Sequence, residues 1–88
     1  MTEPDGNKPV YTEADRIDEE KRIRRLRRLV DFTLAYIAQV DMPLEKAHTV
    51  FEAARARALE LFPDKEETFD LIITPRFRRI ITAKYRMQ

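Results

Sequence analysis

EADRIDEEKRIRRLRRLVDFTLAYIAQV, residues 13–40, is the stretch on which the fold turns. It carries three blocks in series: acids at Asp15–Glu20, six cations among the eight residues Lys21–Arg28, and an apolar run from Leu29 to Val40. Ile23, Leu26, Val30, Thr33, Ile37 and Val40 recur every three or four residues, and Leu29 and Tyr36 widen the stripe. That is the period of one helix face. Thr12 followed by Asp15 has the spacing of a capping box, with Asp in place of the usual Glu or Gln, so the helix starts near Glu13. A helix over 13–40 is about 42 Å long at roughly 1.5 Å per residue. Phe32, Leu34, Ala35 and Ala38 lie off the main stripe and make the second half apolar nearly all round. Such a helix is expected to be surrounded, by its own chain or by a partner.

Working outward, Asp41-Met42-Pro43 breaks the pattern. Asp41 reads as an N-cap and Pro43 as a first-turn residue, whose missing N–H costs nothing there. A second helix over 43–61 places Leu44, Ala47, Val50, Phe51, Ala54, Ala58 and Leu61 on one side, the alanines allowing close approach to the first helix. Phe62-Pro63 ends it. Asp64 and Glu67 have capping-box spacing and predict a short helix over 65–73, presenting Phe69, Ile72 and Ile73. Thr74-Pro75 repeats the cap-plus-proline signal before a segment over 75–86 with Phe77, Ile80, Ile81 and Tyr85 at helical spacing. This last segment reads either as a fourth helix or as a kinked continuation, because the residue before proline disfavours helix without forbidding it. Residues 1–11, with Pro4, Gly6, Asn7 and Pro9, read as a flexible tail ahead of a single helical domain over 12–88. The expected fold is therefore all-α: a small bundle of three to four helices with one long N-terminal helix.

Composition narrows the function. Eighty-eight residues make at most one domain, and a chain this short buries about 60–65% of its unfolded surface. No run approaches the roughly 20 apolar residues of a membrane span. The start, MTEPDGNKP, lacks the basic and apolar regions of a signal peptide, which predicts a cytoplasmic protein. The chain has no Cys, Ser or Trp and a single His, His48. Disulfides, thiolate metal sites and Ser or Cys nucleophiles are excluded, and no glycine-rich loop is present to cradle phosphate. Glu45, His48 and Glu52 share a helix face at i, i+3 and i+7, but a solvated polar edge accounts for them better than a metal. Neither catalytic residues, a metal, a cofactor nor a small-molecule substrate is expected.

The charge is what remains to be explained. A formal net charge of +1 conceals blocks of −5 over residues 1–20, +6 over 21–28, −3 over 29–64 and +3 over 65–88. Two basic blocks are the candidate interaction residues: Lys21, Arg22, Arg24, Arg25, Arg27 and Arg28 in the first, and Arg76, Arg78 and Arg79 in the second, which continues to Lys84 and Arg86. Asp18–Arg22 and Glu20–Arg24 stand at i, i+4 in the favourable orientation, which predicts a salt-bridged, solvated helix half. Phe77 and Tyr85 interleave with the second block, as in stacking RNA binders, but also fall at core spacing, the preferred reading. A helix-turn-helix reader is disfavoured, because its recognition helix would be Lys65–Ile73, with Glu66, Glu67 and Asp70 facing phosphate. The narrow apolar stripe beside the first block makes a membrane-surface role the weakest reading. The sequence thus points to a non-enzymatic protein–protein interaction module, self-associating through opposite charge blocks, with a small nucleic-acid-binding regulator as the alternative.

Overall fold

The computed structural model describes residues 12–86, which form four α-helices with no strand among them: α1 Glu13–Gln39, α2 Leu44–Leu61, α3 Glu66–Ile72 and α4 Thr74–Arg86. The tail read into residues 1–11 lies outside the described residues. α1 begins as its sequence dictates. The Thr12 hydroxyl accepts from the Asp15 N–H and the Asp15 carboxylate accepts from the Thr12 N–H, both at 3.1 Å, closing the capping box. α1 stops where Val40 turns extended, ahead of Pro43.

Three expected caps are not made. Asp41 does not cap α2; Pro43 occupies the N-cap position with no side-chain hydrogen bond, and its carbonyl accepts the N–H groups of Lys46 and Ala47. The fixed φ of proline suits the extended cap conformation, and Asp41 stands two residues upstream of it. Asp64 likewise does not cap α3. The chain makes one more turn residue, Lys65 takes the N-cap position, and the Asp64–Glu67 box does not form. Thr74 is no cap either. Ile73 keeps right-handed helical angles between α3 and α4, and the Thr74 hydroxyl donates back to Asp70 at 2.9 Å. The segment after Pro75 is a fourth helix that starts directly at the end of α3: the Ile73 carbonyl accepts from the Arg76 and Phe77 N–H groups, and Pro75 has no N–H to give.

Helices α1, α2 and α4 run up, down and up, with α3 as a short base. The core is Val30, Ile37, Ala47, Phe77 and Ile81, with Phe51 and Phe77 in tilted ring contact at 4.9 Å. Ala47, Ala54 and Ala58 are buried along α2 and let it lie close to α1. Thr33 is buried among them, its hydroxyl satisfied by the Leu29 carbonyl at 2.7 Å.

The top of the bundle is fastened by α4. α1 has no base in its last turn. The Lys84 ammonium supplies one from outside, donating to the carbonyls of Ile37 (2.6 Å) and Val40. Beside it the Tyr85 hydroxyl donates to the Met42 carbonyl at 2.7 Å. A cation on the C-terminal carbonyls of a helix also opposes its dipole, here delivered by a different helix.

The expectation that the second half of α1 is surrounded does not hold within one copy. Phe32 is 70% exposed and Ala35 and Ala38 are exposed, because α2 and α4 cover only the side bearing Val30, Thr33 and Ile37.

Candidate interaction surface

The first basic block lies on α1 below the core. Lys21, Arg22, Arg24, Arg25, Arg27 and Arg28 are all exposed. Ile23 and Leu26 tie this stretch to the bundle through an apolar groove shared with Ala58, Phe62 and Phe69. Residues 13–18, further down, are exposed throughout, so the acidic end of α1 overshoots the bundle.

The intrahelical pairs expected here do not form. Glu20 is taken by Arg16 at 2.8 Å, and Arg16 also holds Glu13, so these acids are engaged by a cation of their own block and not by the basic run. Arg22 turns instead over the Phe62 ring, 5.6 Å from its centroid, a cation–π contact that pins this part of α1 to the end of α2. Lys21, Arg24, Arg25, Arg27 and Arg28 make no ion pair with any described residue.

The second block separates by role. Phe77 is fully buried, so it is core and offers no stacking platform. Arg76 comes within 3.7 Å of Asp31 on α1. Arg78 and Arg79, with Arg86 two turns on, line a shallow groove of about 840 Å³ beside Ile80 and Leu34, with no acid on its walls. That contact brings the start of α4 alongside α1 one turn above Arg27, so the two blocks belong to neighbouring elements.

One polar cluster gives no signal in local spacing. Arg55 on α2 donates to Asp70 (2.9 and 2.7 Å) and Glu66 (2.8 Å), and Asp70 also accepts from Thr74. The Arg55 hydrogen bonds, aided by the Thr74 hydroxyl, hold the Asp70 carboxyl down at about 2, and the bonds to Asp70 and Glu66 raise the guanidinium. Sequence separations of 11 and 15 residues hide this cluster from any reading of helical spacing.

Among the described residues no three His, Asp or Glu side chains stand close enough to hold a metal ion, and no helix is long and apolar enough to cross a membrane. His48 is exposed on α2 at the edge of a groove with Phe51 and Tyr85. The fold and surface define a small all-α bundle with one overshooting, charge-blocked helix. No protein family, curated protein or solved structure matches the chain.

Proposed function

We propose that the chain is a non-enzymatic, cytoplasmic protein–protein interaction module that docks through the charged half of α1 and self-associates. The observation that carries this reading is the overshoot of α1. Residues 13–18 extend beyond the bundle, and five cations of the following block make no ion pair among the described residues. An exposed helix with charge of both signs in separate blocks suits electrostatic docking on a complementary surface. Exposed apolar side chains at Phe32, Leu71 and Ile72 (63–72%) add area that a partner would cover. The rival version of this reading docks the same helix on a larger assembly.

Sedimentation velocity over a range of concentrations tests the reading. A mass that rises with concentration, and falls back when salt goes from about 20 mM to about 500 mM, is the expected result. A monomer at every concentration and salt would remove self-association.

One observation favours a second reading, a small nucleic-acid-binding regulator. The pairs that were to neutralise the basic run are not made, and Arg78, Arg79 and Arg86 line an acid-free groove. Phosphate would satisfy both blocks. This reading expects binding of RNA or duplex DNA that weakens steeply with salt and is lost when Arg24, Arg25 and Arg28 become Glu. Absence of a complex at low salt with either nucleic acid retires it.

A further inference from the structure

We infer that two copies of this chain pair antiparallel through the outward face of α1, with Glu13 of one copy against Arg28 of the other, Ile17 against Arg24, and Glu20 against Lys21. The inference rests on the self-association proposed above and assigns it a face and a register.

The face follows from the helix period. At about 100° per residue, Arg24 lies diametrically opposite Thr33, and Ile17 nearly opposite Ile37, both of which are buried in the bundle. Glu13, Ile17, Glu20, Lys21, Arg24 and Arg28 form one stripe on that outward side, and all six are exposed. α2 and α4 pack on the other side of α1, so a second helix can lie along this stripe without meeting the body of the bundle.

The register follows from charge. The stripe reads acid, Ile, acid–base, base, base from Glu13 to Arg28, and reversing it about the Glu20–Lys21 bond sets each acid against a base. Every contact occurs twice by the twofold axis, giving four ion pairs from two acids per copy. A parallel pair would face Glu13 with Glu13, Arg24 with Arg24 and Arg28 with Arg28. Sliding the antiparallel pair one turn toward the bundle sets Lys21 against Arg24. Sliding it the other way shortens the overlap and leaves Arg28 unmatched. Arg16 already ties Glu13 and Glu20 to one side of the helix, so the acids need little reordering.

Ile17 is the second, independent observation. It is 40% exposed, surrounded in sequence by charge, and faces away from its own core. In the proposed pair the aliphatic stem of Arg24 from the other copy covers it while the guanidinium stays wet. The stripe also leaves Leu26 and Ile23 to their own groove, so pairing competes with no apolar contact of the single copy, and Glu13 and Glu20 share their carboxylates between Arg16 and the other copy's cations. An interface so short and polar is transient and salt-sensitive, below the area of permanent dimers.

The chain has no cysteine, so introduced ones report the register directly. In the full chain, Ile17→Cys with Arg24→Cys is expected to oxidise to a covalent dimer at low salt, while Ile17→Cys with Arg28→Cys stays monomeric. Within one copy positions 17 and 24 are two turns apart along the helix, about 10 Å, beyond disulfide reach. Glu13→Arg and Arg28→Glu each weaken association about tenfold or more by setting like charges together, and the double exchange restores it. Association of the unsubstituted chain with cross-linking only in the mismatched pair overturns the register and leaves self-association standing. No association of the unsubstituted chain overturns both. Circular dichroism on each variant separates a lost contact from a lost fold.

Discussion

Arg55 fixes the base of the bundle by reaching from α2 to two acids of α3. Its effect on stability depends on pH in a direction the structure sets. Asp70 falls from an ordinary 3.8 to about 2, so the folded chain holds fewer protons there than the unfolded chain. The contribution is complete above about pH 4 and is lost as the pH falls toward 2. Thermal melts at pH 5 and pH 2.5 should show a larger loss for the natural chain than for Asp70→Asn, whose residue cannot titrate. Equal losses would assign the acid sensitivity to other carboxylates. None of this was legible in the sequence. Arg55 and Asp70 are each unremarkable within their own helix, and only the fold brings them to 2.7 Å. The Asp18–Arg22 and Glu20–Arg24 pairs show the reverse error. Their spacing permits them, but a single competing Arg16 and the ring of Phe62 draw the groups elsewhere.

Among the elements, the start of α1 is the feature that local sequence determines most completely. The Thr12–Asp15 box satisfies two N–H groups with side chains three residues apart, and no other part of the chain is needed. Thr12→Ala is expected to cost about 1 kcal/mol and to fray the first turn, visible as a loss of helical ellipticity and faster amide exchange over 13–16. The α2 and α3 starts were misread because spacing alone ranks any Asp before a helix as a cap. The backbone at Pro43 and the added turn residue at Lys65 move each start past the acid that seemed to serve it. Pro75 is the instructive middle case. Its signal marks the break between α3 and α4 correctly, yet Ile73 keeps right-handed helical angles, so α4 follows α3 with a single residue between them.

For the molecule as a whole, the three-to-four-helix bundle was legible because its buried side chains obey one period in each helix. Phe77 is the largest of them and is 1% exposed. Phe77→Ala should destabilise by about 3–5 kcal/mol, a large share of what a domain of this size holds, and a denaturant titration measures it. The faces that remain outside this core were less legible, since a period identifies the buried side and leaves open what covers the other. Phe32 and the basic run lie on such faces. The Lys84 contact has a consequence for the order in which the structure can be completed. The carbonyl of Ile37 waits for an ammonium 47 residues further along the chain. At the roughly 5–20 residues per second of synthesis, that interval is about 2–9 s. Throughout it the end of the first helix stays unlatched. The top of the bundle therefore closes only after α4 has been made.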